Sequence, residues 1–200
     1  MLGSRIAGGN TAYKRVESDY YPTPPEATQA LIDALKIGDM LHDGDHIWEP
    51  ACGDGHMVSV LQNNGFLVTA TDILTGEDYL ATEKPDGVNW IITNPPFSLA
   101  EEFIRRSLEH NVPFAFLLKS QFWHAKKRFG LYYEHPPAYI LPLTWRPDFL
   151  FKSRGKGSPL MDVMWCVWLP GAEHSATYIP LRKPAIEESE DATDEGERAD

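Results

Sequence analysis

Two adjacent prolines, Pro95 and Pro96, follow directly on an apolar run over residues 88–93 and set the strongest single constraint on how this chain folds. Proline has no backbone N–H to give a sheet and holds φ near about −65°, so a strand carrying this run ends at Asn94. Pro96 also pushes Pro95 towards extended geometry. The outcome is a stiff turn that leaves the Asn94 side-chain amide at a strand's end, with the carbonyls of Asn94 and Pro95 beside it and Phe97 just beyond. Two acceptors next to an aromatic face suit a planar group that carries an amine, because the amide oxygen and a carbonyl take its two hydrogens while its ring stacks on Phe97. Adenine is such a group. The same four residues also make an ordinary turn, since Asn and Pro are favoured there for local reasons alone. The segment upstream decides between the two.

That segment reads as strand, glycine turn and helix. Residues 46–49 are followed by Pro50-Ala51-Cys52-Gly53-Asp54-Gly55, and Met57, Val58, Val60 and Leu61 then recur at helical spacing. Gly53 and Gly55 remove Cβ atoms where backbone comes close to a ligand, and the helix's amino end offers free N–H groups at the same place. After a stop at Asn64-Gly65, residues 66–72 form a second strand ending in Asp72. Asp72 lies 17 residues beyond Gly55, about the spacing at which an acid reaches ribose hydroxyls in nucleotide-binding α/β folds. The full dinucleotide fingerprint is missing, which argues against NAD.

Earlier still, Tyr21-Pro22-Thr23-Pro24-Pro25 is a rigid entry to a helix. Thr23 is its expected cap, Pro24 lies in the first turn, and Ala30, Leu31, Ala34 and Leu35 form an apolar face up to a stop at Gly38. Downstream, Ala100, Phe103, Ile104, Ser107 and Leu108 mark another helix, and residues 113–118 are a buried strand. A helix is expected over residues 121–134, and two further strands over residues 139–143 and 162–169. The alternation of strand and helix predicts an open, mostly parallel α/β sheet with helices on both faces, and the candidate ligand residues all fall at strand carboxyl ends, where such sheets bind ligands.

The motifs together resemble a known family. Glu49-Pro50-Ala51-Cys52-Gly53-Asp54-Gly55, then Asp72, then Asn94-Pro95-Pro96-Phe97 is similar to the motif series of S-adenosylmethionine-dependent amino methyltransferases of the N6-adenine type. Tyr21-Pro22-Thr23-Pro24-Pro25 resembles the segment that precedes the glycine motif in members with this motif order. The likeness runs from about residue 19 to residue 97. It implies a Rossmann-like methyltransferase sheet whose last two strands form an antiparallel pair at one edge, and S-adenosylmethionine as cofactor. By the same resemblance Gly53 and Gly55 border the methionine moiety, with Tyr21, Thr23, Glu49, Pro50, Ala51 and Cys52 in the same site. Asp72 binds the ribose, Ile73 lies against the cofactor adenine, and Asp78 accepts from that adenine's amino group. Asn94, Pro95, Pro96 and Phe97 hold the target base. Only a shortened helix and third strand fit between Asp72 and Asn89.

Charge locates the partner. The formal net charge of −11 looks adverse for nucleic acid, but eight of the 29 acidic residues lie in residues 187–200 against one base, Arg198. From residue 119 to 156 the balance reverses, with Lys119, Lys126, Lys127, Arg128, Arg146, Lys152, Arg154 and Lys156 against Glu134 and Asp148. These bases are the expected phosphate contacts, and Phe149 or Phe151 is expected to fill a space vacated by a base. A solvated face is the ordinary use of such a run. The Arg146-Pro147-Asp148-Phe149 stretch and the later Gly157-Ser158-Pro159 look like small phage-type adenine methyltransferases, for which protection from restriction is the implied purpose. DNA is therefore the expected partner, with RNA as the alternative, and specificity is expected to be short or relaxed because no separate target-recognition domain follows residue 169. A protein-glutamine methyltransferase is disfavoured, since those resemble Asn-Pro-Pro-Tyr. A catalytically silent binding module on the same fold is the rival from another class.

The remaining features bound the setting. Cys52 and Cys166 stand 114 positions apart in apolar contexts and read as reduced thiols of a cytoplasmic protein; no zinc pattern or long apolar run is present. The expected organisation is a flexible arm over residues 1–18, one methyltransferase domain over 19–183 with basic loops around 119–160, and a disordered acidic tail over 184–200.

Overall fold

The computed structural model describes residues 21–149, 159, 161–172 and 175–185. The expected arm, nearly all of the expected tail, and Phe151, Lys152, Arg154 and Lys156 lie outside the described residues. Helix α1 (Pro25–Ile37) is followed by β1 (His46–Glu49), α2 (His56–Asn63) and β2 (Leu67–Ala70). Then come β3 (Trp90–Thr93), α3 (Ala100–His110), β4 (Phe114–Lys119), the short α4 (Phe129–Glu134), β5 (Tyr139–Pro142), β6 (Val163–Trp168) and β7 (Thr177–Tyr178). The seven strands form one sheet in the order β2-β1-β3-β4-β6-β5-β7. Strand β6 runs antiparallel to both neighbours, and the other pairings are parallel.

Strand side chains alternate between two buried faces, which is why the central strands read as unbroken apolar runs rather than as alternating ones. Ile47, Ala115, Leu117, Val163, Trp165 and Val167 pack with α1 and α2. Trp48, Phe114, Phe116, Leu118, Met164, Cys166 and Trp168 pack on the other face with α3 and α4. The indole of Trp165, fully buried, donates to the carbonyl of Ala27 at 2.8 Å and fastens α1 to β6. Trp48 Nε1 donates to Thr71 Oγ1 at 2.9 Å, so its polar edge is satisfied inside the core. Truncating either tryptophan to alanine would cost roughly 3–5 kcal/mol.

Three local expectations differ from the fold. The pair β5 and β6 is antiparallel, as expected, but it does not close the sheet: β7 adds to β5 through Thr177 N to Ala138 O and Ile179 N to Ile140 O. Two exposed residues shortly before Pro180 do not by themselves announce a strand; the backbone of β5 recruits them. The expected helix over 121–134 is broken into 3₁₀ turns at Ser120–Trp123 and Lys126–Arg128, followed by α4. The rings of Phe122 and Trp123 lie 6.0 and 4.1 Å from the Tyr132 ring, whereas a continuous helix would set residues nine or ten apart about 14 Å from each other along its axis. Thr23 makes no side-chain cap for α1, whose N-cap is Pro24.

Between Asp72 and Asn89 the chain makes one 3₁₀ turn, Ile73–Thr75, and no longer element, in keeping with the shortening foreseen there. Tyr79 holds this segment down, packing on Trp48 at 5.0 Å and Phe103 at 4.7 Å and sharing a hydrogen bond with Ser107. Among the described residues no helix is long and apolar enough to cross a membrane.

Candidate active site

The carboxyl ends of β1, β2, β3 and β4 deliver Glu49, Asp72, Asn94 and Lys119 to one side of the sheet. All but Lys119 line one cleft that opens to solvent. Of the residues expected at the cofactor, Tyr21, Thr23, Glu49, Pro50, Ala51, Cys52, Asp72, Ile73 and Asp78 all line it, together with Asn94, Pro95, Pro96 and Phe97.

Gly53 and Gly55 act through the backbone. Both have positive φ, +49° and +79°, and Gly55 is the N-cap of α2. A side chain at either would strain the turn that brings the chain from β1 into the helix. Asp72 fixes this turn from the neighbouring strand: its Oδ2 accepts from Gly53 N and its Oδ1 from Leu74 N, both at 2.8 Å. One carboxylate thus ties the glycine loop to the segment carrying Ile73. With 7% of its surface exposed and one bond on each oxygen, Asp72 keeps lone pairs for a ligand in the cleft.

Glu49 is 2% exposed, and its Oε2 has no hydrogen-bond partner. Burial pushes its pKa well above the ordinary carboxyl value, and the adjacent Asp72 charge pushes it further in the same direction. An orphaned buried acceptor lining a cleft is suited to a cationic or donor group of a ligand. Asp78 is exposed and accepts from Leu80 N at 3.0 Å, which presents it on the rim beside Ile73, itself 65% exposed.

The corner at Asn94 is more specific. Its Nδ2 donates to the carbonyl of Tyr21 at 2.9 Å and to Thr23 Oγ1 at 3.1 Å. A carbonyl can only accept, so the NH2 end of the amide must face Tyr21. Oδ1 therefore points the other way, and it is buried without a partner. The Tyr-Pro-Thr-Pro segment thus orients the Asn94 amide. Phe97 lines the same cleft, with Tyr21 tilted against its ring at 5.4 Å and the Lys119 ammonium over it at 3.9 Å.

The expected nucleic-acid residues divide. Lys119 stands at the Phe97 ring, and Lys126 and Lys127 are exposed. Arg128 folds inward over the Phe122 ring at 3.9 Å and donates to the Phe122 carbonyl at 3.0 Å, while Arg146 pairs with Asp162 at 2.7 Å. Phe149 corrects the expectation made for it. It is 2% exposed and packs edge-on to Tyr21 at 6.2 Å, so it buttresses Tyr21 rather than standing ready to replace a base. Sequence reasoning missed His56, Met57, Leu74, Tyr79, Leu99 and Phe103 in the cleft wall. His56 had a signal, as the first residue of the helix entered from the glycine turn.

No family model matches this sequence, and no curated protein does. Solved structures do match. A type I restriction-modification system methyltransferase subunit from Streptococcus thermophilus superposes with a TM-score of 0.60 at 12% identity, over 80% of this chain and 47% of its own. A Listeria monocytogenes protein described as a class I S-adenosylmethionine-dependent methyltransferase gives 0.55 at 16% identity, over 82% and 67%. A protein of Pyrococcus horikoshii described as an RNA methyltransferase gives 0.50 at 16%, over 79% and 91%. This chain spans about half the length of the streptococcal subunit. The chain has the fold of the S-adenosylmethionine-dependent methyltransferases. The cleft also fits that cofactor's chemistry: a left-handed glycine turn, the orphaned Glu49 oxygen for an ammonium, Asp72 for hydroxyls, and Ile73 with Asp78 for a base.

Proposed function

We propose that this chain transfers a methyl group from S-adenosylmethionine to the exocyclic N6 of adenine in DNA, with short or relaxed sequence specificity. The observation that carries the reading is the orientation of Asn94, whose amide hydrogens are committed to Tyr21 and Thr23 and whose Oδ1 is left buried and unpartnered. Such an oxygen asks for a donor, and the donor nearest in chemistry to the surrounding aromatic ring is the amine of a planar base.

Glu49, the turn at Gly53 and Gly55, Asp72, Ile73 and Asp78 would hold the cofactor. When bound, it supplies a methyl group made electrophilic by a positively charged sulfur. The chain's own part is positioning. Asn94 Oδ1 accepts one amine hydrogen and the Pro95 carbonyl the other, which discourages delocalisation of the nitrogen lone pair into the ring and aims it at the methyl group. Phe97 stacks on the base, its own ring held by Tyr21 and Lys119. The base has to leave the duplex or be presented unpaired, because N6 is inaccessible within a stack. The order of the sequence motifs supports the N6-adenine reading, and the basic residues after β4 support nucleic acid as substrate.

The test is transfer of labelled methyl from S-adenosylmethionine to separate duplex DNA, single-stranded DNA and RNA, with product nucleosides identified by mass spectrometry. N6-methyladenine in DNA, lost in Asn94→Ala, is the expected result. Label confined to RNA would keep the chemistry and overturn the substrate. Cofactor binding with no transfer to any nucleic acid would overturn the reading.

A further inference from the structure

The short helix α4 carries an outward face that the fold does not use. Leu131, 1% exposed, and Tyr132, against Trp123 at 4.1 Å, anchor α4 inward. Phe129 and Tyr133, one turn apart on the opposite side, are 70% and 74% exposed, and their rings stack at 5.6 Å with 20° between planes. Phe129 and Tyr133 share one face of α4 at i, i+4, with Gly130 three residues before Tyr133 on it, and Lys126 and Lys127 precede them in the adjoining 3₁₀ turn. Gly130 has a negative φ and open space where a Cβ would stand, so nothing in the packing demands a glycine. It costs this helix about 1 kcal/mol relative to alanine and leaves the ground beside the rings clear.

Exposing two large rings and spending a helical position on glycine destabilises the fold without structural return. Flat rings, cleared space and neighbouring ammonium groups are what unpaired bases and their phosphates require: rings stack on bases of any sequence, and lysines neutralise the backbone. The face also follows the site closely in the chain. Lys119, over the Phe97 ring, ends β4, and the chain from there runs through two 3₁₀ turns directly into Lys126, Lys127 and α4. Of the bases expected here Arg128 is turned inward, while the two lysines beside the rings are exposed.

The geometry points to the Phe129–Tyr133 face, with Lys126 and Lys127, as a stacking platform for the single-stranded DNA that carries the target adenine. The inference rests on the reading that this chain methylates DNA, and it deepens that reading by making the strand flanking the target an unpaired one.

The experiment is fluorescence anisotropy of the full chain with a labelled single-stranded DNA 12-mer, a hairpin duplex of the same composition and the matching RNA 12-mer, alongside methyl transfer to the same molecules. Wild type is expected to bind the single-stranded DNA tightest. Replacing Phe129 and Tyr133 together by alanine should weaken that binding roughly tenfold or more, with Phe129→Trp restoring it, and should raise KM for the 12-mer while kcat changes less than twofold. Lys126→Gln with Lys127→Gln should reduce the slope of log affinity against log salt by about 1.4. Circular dichroism confirms that each variant is folded. Transfer unaffected by the ring variants would overturn the platform and leave the methyltransferase reading standing. Ring-dependent binding without any transfer would keep the platform and defeat that reading. Preference for the hairpin or for RNA would overturn the platform as a single-stranded DNA surface.

Discussion

Replacing Asn94 by aspartate tests the orientation of the proposed catalytic amide at constant shape. In the native corner Nδ2 donates to Tyr21 O at 2.9 Å and Thr23 Oγ1 at 3.1 Å, and Oδ1 is left buried and unpartnered. An ionised carboxylate donates nothing, so it loses both bonds, each worth about 0.5–1.5 kcal/mol net, and sets an oxygen against the Tyr21 carbonyl. A protonated carboxyl keeps one of them: its O–H can donate to Tyr21 while its carbonyl oxygen faces the cleft as the amide oxygen did. Burial and the adjacent carbonyl both favour the neutral form and raise the introduced group's pKa. Losing a preorganised hydrogen-bonding group costs about 10²–10³ in turnover, so Asn94→Asp should be slower by roughly that factor at pH 8 and recover as pH falls. Asn94→Ala should be as slow at every pH, with cofactor affinity within a few fold of wild type. The assay is single-turnover methyl transfer from pH 5.5 to 8.5, with cofactor titrated into each variant by calorimetry. Full activity of Asn94→Asp at pH 8, or loss of cofactor affinity in Asn94→Ala equal to its loss of turnover, would refute the reasoning.

Other expectations follow from the same site. Glu49 has a raised pKa in the folded chain, so the native state holds a proton that the unfolded chain releases, and stability falls as pH climbs from the ordinary value of 4.5 through the folded one; Glu49→Gln should therefore gain melting temperature over wild type increasingly across that window in melts from pH 4 to 8, and a constant difference would contradict it. The same variant should bind S-adenosylmethionine more weakly. Asp72→Ala strips the acceptors from Gly53 N and Leu74 N, bonds to a charged group worth about 1.5–3 kcal/mol each, and should lower cofactor affinity at least tenfold by calorimetry while the chain stays folded. Trp165→Phe removes the buried bond to Ala27 and should lower stability by about 1–3 kcal/mol in chemical denaturation with transfer rates unchanged.

Much of the frame was legible because it rests on local rules. The halt of β3 before Pro95 needs only proline's missing donor, the turn at Gly53 and Gly55 needs only positive φ, and β4 and β6 announce themselves as apolar runs that both sheet faces bury. Those signals placed the ligand residues at strand ends, and their order carried the family resemblance. Other decisions belong to contacts between distant parts of the chain. Which end of the Asn94 amide faces the cleft depends on the carbonyl of Tyr21, 73 positions earlier. That the pKa of Glu49 is raised depends on burial beside Asp72, and that Phe149 supports Tyr21 instead of meeting a base depends on how the segment after β5 packs. The broken helix at 120–134 and the edge strand β7 are of the same kind, since a tertiary contact there outweighs propensities of less than about 1 kcal/mol per residue. Periodicity and turn chemistry thus determined where the chain bends and which residues reach the cleft, whereas the direction of each hydrogen-bonding atom was decided only by the partners that folding brought within about 3 Å, and the upward shift of Glu49 by the burial that folding imposed.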